Sequence, residues 1–252
     1  MDLSVYKEYA EIEATHWWFK GRRVIFDTLL RCINLSGDAL MLDAGCGTGV
    51  NFDVLASYGK VIGLDQTEVA VRYARAHSAV PMLLGDVTAL PFAANSFDLI
   101  TAFDLIEHID DDHACVREFA RVCRPGGLII ATVPAFQWLW GRQDIISHHK
   151  RRYRAEQLAR LFAHQGLEIH RLTYMNSLLF PAIAAVRLFR RIRPDDNSEL
   201  RSDFSTTGPR CINILLGKIF GAEAWILSRW RLPIGVSILC VARKPFNPES
   251  NM

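Results

Sequence analysis

The chain has 252 residues, 50% of them hydrophobic, and a formal net charge of +2. That length suits one α/β domain with embellishments and a sizeable core, while the near-neutral balance argues against a general polyanion binder. The six cysteines, at 32, 46, 115, 123, 211 and 240, form no Cys-x-x-Cys pair and no zinc spacing, so reduced, buried thiols in a cytosolic protein are expected.

The chain begins MDLSVYKEYAEIEATHWW, acidic and without an apolar core segment, which does not read as a signal peptide. Residues 4–33 read as one or two helices. Within them HWWFKGRR (16–23) either packs its indoles on the sheet edge or forms a lid, with Trp17 or Trp18 over a ligand and Arg22 or Arg23 on a carboxylate. Apolar strands are then expected at 39–43, 61–64, 81–84, 97–102 and 128–133, alternating with helices. Such alternation implies right-handed crossovers and a parallel sheet, with ligands beyond the carboxyl ends of the strands.

Between the first two strands lies Asp43-Ala44-Gly45-Cys46-Gly47-Thr48-Gly49. Its glycines admit a ligand against bare backbone, and N–H groups opening the next helix are donors. Asp65, at the tip of the second strand, is placed to accept both hydroxyls of a ribose. Asp43, Asp65, Asp86 and Phe103 all fall at strand ends, so one crevice can hold one nucleoside.

The spacing G-x-G-x-G, with an acid two residues before it, resembles motif I of the class I S-adenosylmethionine (SAM) methyltransferases. Gly85-Asp86-Val87 resembles the family's adenine-binding acid and neighbouring N–H. Arg124-Pro125-Gly126-Gly127 before Leu128–Val133 is similar to its turn into strand five. This resemblance covers residues 38–134. It implies a Rossmann-like, seven-stranded, mostly parallel sheet with an antiparallel last strand. The cofactor it implies is SAM, held by Asp43, Gly45, Cys46, Gly47, Gly49, Asp65, Gln66, Asp86, Val87 and Phe103, with Trp18 and Arg22 from the N-terminal segment. Cys46 is given no chemistry of its own.

Two places can supply acid–base groups. After strand four, Asp104, Glu107 and His108 stand at i, i+3 and i+4, one face of a helical turn. They could hold a divalent ion, present His108 as a base, or simply bond locally. The acid-x-x-acid-His pattern looks like that of quinone-type O-methyltransferases, some of which use a metal, but no metal is assigned here. After strand five, SHHKRRYR (147–154) is either a solvated helix start or a grip on an anionic acceptor, with His148 or His149 as base and Tyr153 as a polar wall. Cations at a helix start oppose the macrodipole, which favours the grip. The H-x-x-R-R-Y pattern resembles methyltransferases found with glycan and lipid-linked sugar pathways.

A loop at 134–150, a helix at 154–165 stopped by Gly166 and a strand at 167–173 are expected next. A helical cap at 174–232 precedes the last strand (233–243) and a frayed tail (244–252). The whole is one domain: a lid (1–37), a SAM-binding core (38–173), the cap, the strand and the tail. The cap's apolar faces, flanked by Arg187, Arg190, Arg191, Arg193, Arg229 and Arg231, suit a membrane surface but no span.

The expected activity is O-methylation of a small or lipid-linked anionic acceptor such as a glycan intermediate. The alternatives are a quinone or fatty acid-like acceptor, or a non-catalytic SAM-binding scaffold. A nucleic-acid substrate is disfavoured, because no basic domain is appended and Ala102-Phe103-Asp104-Leu105 stands where an Asn/Asp-Pro-Pro-Tyr motif would. A cytoplasmic protein touching the inner membrane surface through 174–232, or a homodimer, completes the expectation.

Overall fold

The computed structural model describes residues 10–192 and 209–246, the side chains of residues 191 and 192 excepted. The first nine residues, most of the polar run between the cap helices and the end of the expected tail lie outside the described residues. Residues 10–15 are helical and lead through His16 into α1 (Trp17–Cys32). The His16 side chain accepts from the Trp18 N–H and so caps α1.

Seven strands follow: β1 (Leu40–Ala44), β2 (Lys60–Asp65), β3 (Met82–Leu84), β4 (Phe97–Phe103), β5 (Cys123–Pro134), β6 (Glu168–Met175) and β7 (Ser237–Arg243). They form one sheet in the order β3-β2-β1-β4-β5-β7-β6. All neighbours are parallel except those of β7, which runs antiparallel to both β5 and β6. Strand order reverses between β1 and β4, which places a ligand crevice at their carboxyl ends.

Helices cover both faces, as near-continuous apolar strands require. On one side α4 (Asp112–Val122) and α6 (Ala155–Ala163) bury Phe119, Val122, Leu158 and Phe162. On the other, α1, α2 (Phe52–Ala56) and α3 (Glu68–His77) bury Ile25, Phe26, Phe52 and Val71. Gly166, at φ 74°, ends α6 as expected. The expected loop at 134–150 carries a 3-10 turn (Gln137–Leu139) and a short helix α5 (Arg142–Ile146).

The insertion before β7 forms α7 (Phe180–Ile192) and α8 (Arg210–Leu227). α8 lies along α1 and joins the second core layer through Phe220, Ala224 and Leu227. A Cβ on Gly21 of α1 would stand 2.6 Å from the Phe220 ring, so glycine is what lets the two helices approach. Asn213 accepts from the Trp17 N–H at 2.8 Å and donates to the Thr15 carbonyl at 2.9 Å. Buried Glu223 accepts from the Leu178 N–H at 2.8 Å. α7 packs Phe180 and Ala184 on Leu139 of the loop after β5. Among the described residues no helix is long and apolar enough to cross a membrane. All six cysteines are free, but Cys32 and Cys211 are exposed rather than buried.

Candidate active site

The glycine loop turns tightly off β1. Gly45, Gly47 and Gly49 have φ of 69°, 54° and 82°, the left-handed region that other residues rarely enter. A Cβ on Gly45 would meet Leu105 at 2.5 Å, and one on Gly49 would meet Phe52 at 2.6 Å. Nothing stands within 4 Å of a Cβ at Gly47, so the loop opens there. Cys46 turns its thiol inward, 3.7 Å from the Met82 sulfur, and burial pushes that thiol's pKa far up. Only its backbone faces the loop, consistent with giving it no chemistry.

Asp65 ties the loop to β2. Its Oδ2 accepts from the Gly47 N–H at 3.0 Å and its Oδ1 from the Thr67 N–H at 2.8 Å. Each oxygen keeps a further lone pair, and the carboxylate is half-buried at the crevice lip beside exposed Gln66. Asp86 is exposed and accepts from the Thr88 N–H at 2.8 Å. Val87 buries its side chain in the core. The Gly85 N–H donates to the Asp65 carbonyl at 3.0 Å, so the tips of β2 and β3 sit side by side. Phe103 departs from expectation: its ring stacks on Phe26, centroids 3.8 Å apart and 6° from parallel, as part of the core.

Asp43 is buried. Its Oδ1 accepts from the Thr101 hydroxyl at 2.6 Å, and its Oδ2 has no hydrogen-bond partner. Burial, opposed by the Thr101 bond and reinforced by nearby Asp65, raises its pKa to about 7. Above the loop, the N-terminal segment closes down. The Thr48 hydroxyl donates to Glu13, a residue the sequence reading missed. Burial lifts the Glu13 carboxyl to about 7 against the pull of that bond and of Arg22 and Arg23. Arg22 Nη1 donates to Asp104 Oδ2 at 2.5 Å. Trp18 tilts against Phe220 at 5.2 Å and lies 6.0 Å from the Arg22 guanidinium. Both indoles therefore pack against α8, and Arg22 is the group that reaches the strand ends.

Asp104 closes β4 at φ 51°. Its N–H donates to the Thr132 carbonyl at 2.9 Å, and the Thr132 hydroxyl donates to its Oδ1 at 2.9 Å. The 3-10 turn Ile106–His108 follows and carries Glu107 into the interior, where it is 0% exposed. Burial first, then the Asp104 charge, raises the Glu107 pKa well above the usual carboxylate range. Burial and the His149 charge hold half-buried His108 down to about 4.

The Lys150 N–H donates to the Glu107 carbonyl at 2.9 Å, which brings the SHHKRRYR segment onto this turn. His149 Nδ1 lies 2.9 Å from Asp144 Oδ1, and its ring meets His108 edge-on, centroids 4.7 Å apart. Asp144, also missed, is buried. Burial works to raise its carboxyl, but bonds from His149 and Arg152 outweigh this and hold it to about 2. His148 is exposed, with its backbone at φ 55°.

Two expectations for this segment need correction. Tyr153 is no wall of an acceptor pocket, because it is buried in the main core and its hydroxyl donates to Asp112 at 2.8 Å. The cations are not free to grip an anion either. Lys150 pairs with Asp110, Arg151 with Asp112 at 3.1 Å, and Arg152 with Asp144 at 2.7 Å. Acids from the turn before α4, from the first residue of α4 and from α5 thus pair with these three, while Arg154 at the end of the segment is exposed.

A separate cavity of 630 Å³ opens at the other end of the strands, between Asp98, Arg124 and Arg243, and contains no glycine-loop residue. The strand tips, by contrast, combine an open glycine, a half-buried acid with spare lone pairs, and an unpartnered buried oxygen on Asp43. That donor and acceptor set fits a nucleoside carrying a zwitterionic tail, as SAM does. Fold and site together thus define a Rossmann-like nucleoside-binding domain.

Comparison with known proteins narrows the class. A methyltransferase-domain family matches residues 42–131. A probable S-adenosylmethionine-dependent methyltransferase of Mycolicibacterium smegmatis is 33% identical over 159 residues, 61% of this chain and 60% of that protein. A ubiquinone biosynthesis O-methyltransferase of Coxiella burnetii is 32% identical over 100 residues, 37% of this chain and 43% of that one. The solved structure of a methyltransferase from Haloferax volcanii, in complex with the Trm112 activator, superposes with a TM-score of 0.62 at 20% identity, over 94% of this chain and 93% of that one. The chain spans about 60% of the length of the mycobacterial relative it matches. Residues 42–131 thus carry a methyltransferase-domain pattern, and this stretch is similar to SAM-dependent methyltransferases.

Proposed function

We propose that the protein transfers the methyl group of SAM to a hydroxyl of a small or lipid-linked acceptor. The observation that carries this reading is the His149–Asp144 pair, set beside Asp104 at the end of β4. SAM, when bound, supplies an electrophilic methyl group on a sulfonium. Asp65 is the group for the ribose hydroxyls, Asp86 and the Val87 N–H for the adenine edge, and Arg22 for the methionine carboxylate. With its Nδ1 bonded to Asp144, His149 has its Nε2 left, 3.9 Å from Glu107 Oε1, as the candidate base for an acceptor's proton. Such a base adds about 10²–10⁴-fold, and alignment of the acceptor supplies more.

The internal ion pairs of Lys150, Arg151 and Arg152 weaken the support for an anionic glycan acceptor. An apolar, membrane-borne acceptor gains support from α8, whose outer face exposes Ile214, Leu215, Lys218, Trp225 and, just past its end, Arg229. The only acid of α8, Glu223, is buried. A helix with an aromatic and aliphatic stripe, flanked by cations, suits the surface of an anionic bilayer. The Coxiella relative's name points the same way, toward a prenylated quinone. We therefore favour a peripheral enzyme that takes its acceptor from lipid.

The test is incubation with methyl-labelled SAM and separated lipid and aqueous extracts. Label in a lipid product supports the reading, and label in a charged aqueous product returns the glycan alternative. SAM binding with no transfer to any fraction would make the chain a non-catalytic SAM-binding subunit.

A further inference from the structure

Glu107 is fully buried, and neither of its carboxylate oxygens has a hydrogen-bond partner. A buried carboxylate without hydrogen bonds is costly unless something charged or protic meets it. The groups that face it are imidazoles. His149 Nε2 lies 3.9 Å from Glu107 Oε1, and one donor atom each from Glu107, His108 and His149 lie within 4.8 Å of one another. Two ligand bonds of about 2.1 Å span up to about 4 Å, so small side-chain movements would let all three reach one ion.

The His149 imidazole is also held from behind, by Asp144 Oδ1 at 2.9 Å from its Nδ1. Imidazoles that bind metals are oriented in this manner, by a carboxylate or a backbone carbonyl on the far nitrogen. The two cations nearest Glu107, Arg22 and Arg152, are each matched by an acid of their own, Asp104 and Asp144.

We propose that Glu107, His108 and His149 form a binding site for one divalent transition-metal ion of the zinc class, open toward the acceptor crevice. Two imidazoles favour zinc and its first-row neighbours over magnesium or calcium. Three protein ligands leave a position for another oxygen, the arrangement of catalytic rather than structural sites. Asp104 is excluded from the donor set because Arg22 and Thr132 already bond its oxygens. The proposal rests on the acceptor-site reading above and changes the role of His149 in it from base to ligand. With the ion in place His149 is a ligand, and an acceptor hydroxyl at the open position breaks its O–H bond, keeps the electron pair on oxygen and releases the proton to water.

The experiment strips the full chain with chelator and titrates it with Co²⁺, following visible absorption, with zinc content of the untreated protein measured in parallel. One Co²⁺ per chain is expected, with an absorption that Zn²⁺ quenches. Glu107→Gln and His149→Ala should each weaken Co²⁺ binding at least tenfold, Asp144→Asn should weaken it about 10–100-fold as outer partners do, and Asp104→Asn should change it less than threefold. His149 is half-buried, so its variant keeps the test alive if Glu107→Gln does not fold. Absence of stoichiometric Co²⁺ and Zn²⁺ uptake, or unchanged affinity in both ligand variants, overturns the proposal. SAM titration of the same samples separates the two readings: a chain that binds SAM but takes up neither Co²⁺ nor Zn²⁺ loses the metal site alone, while a chain that binds no SAM loses the methyltransferase reading itself.

Discussion

Arg22 on α1 reaches Asp104 at the end of β4 across 82 positions of sequence, Nη1 to Oδ2 at 2.5 Å. Asp104 sits at φ 51°, a conformation that Asp tolerates when its side chain is held. The pair thus fixes the N-terminal segment on the crevice and presents a guanidinium there.

Arg22→Ala should weaken SAM binding at least tenfold and lower the melting temperature, since it strands a partly buried carboxylate, a loss of about 3 kcal/mol for a well-shielded pair. Binding of 5′-methylthioadenosine, which lacks the methionine carboxylate, should change less than threefold. Calorimetric titration of both ligands checks this. Equal losses for the two would mean that Arg22 acts only by holding the fold.

Asp65→Ala should remove measurable SAM binding while the protein stays folded. Each charged hydrogen bond lost costs about 1.5–3 kcal/mol, and two to the ribose are at stake. The variant also frees the Gly47 N–H that Asp65 now accepts from. Asp86→Ala should weaken binding less, because Asp86 is exposed and on the proposed reading would meet only one edge of the base. SAM affinity of the Asp65 variant within threefold of wild type would end the ribose assignment.

These candidate cofactor residues are legible in the sequence because their geometry is local. One strand, one turn and the tip of the next strand position Gly45, Gly47, Gly49 and Asp65. The acceptor end is different, since its groups meet only through tertiary structure. Lys150, Arg151 and Arg152 read as a free cationic patch because nothing in the order of residues shows Asp110 or Asp112, some 40 positions away, turned toward them. Asp144 is closer, but its pairing with His149 depends on the five-residue helix α5 and the left-handed turn at His148. The cap helices are visible as apolar stretches. Their placement beside α1 depends on the match of Gly21 to Phe220, which no periodicity reveals.

That match gives a stability prediction. Alanine at an exposed helical glycine normally stabilises by up to about 1 kcal/mol. At Gly21 the new Cβ would stand within 2.6–2.9 Å of Phe220 ring and Cβ atoms, an overpacking that costs about 1–3 kcal/mol. Gly21→Ala should therefore lower the denaturation midpoint, and Gly21→Val should lower it further. In a Phe220→Ala background the same Gly21→Ala change should become neutral or stabilising. Denaturant titration of the four-member cycle measures the coupling, and additive effects would contradict the packing account.

Glu13 should leave a signature in stability against pH. Its folded pKa is about 7, above the ordinary 4.5, chiefly through burial. Between these values the unfolded chain has released the proton and the folded chain retains it, so stability falls as pH rises through that window. The full effect is on the order of 3 kcal/mol. Asp43 slopes the same way, and buried His16 and half-buried His108 slope oppositely, so the difference between wild type and Glu13→Gln isolates Glu13. That difference should fall from pH 5 to pH 7 in favour of the variant and be flat above pH 8. Parallel profiles would show that Glu13 titrates normally.

The outer stripe of α8 predicts how the protein meets lipid. Trp225 is 58% exposed and carries the Arg229 guanidinium 4.9 Å above its ring, an apolar body beside a charge that a lipid phosphate can take up. Each such cation contributes about 1 kcal/mol near an anionic surface, and screening weakens it as salt rises. The protein should float with anionic liposomes at low salt, float less at high salt, and stay behind with neutral ones. Leu215→Glu and Trp225→Glu should each abolish flotation without changing SAM affinity, because the stripe faces away from the buried side that packs on α1. A chain that never floats, yet loses a dimer in sedimentation when Leu215→Glu is made, would instead pair the stripe with a second copy of itself.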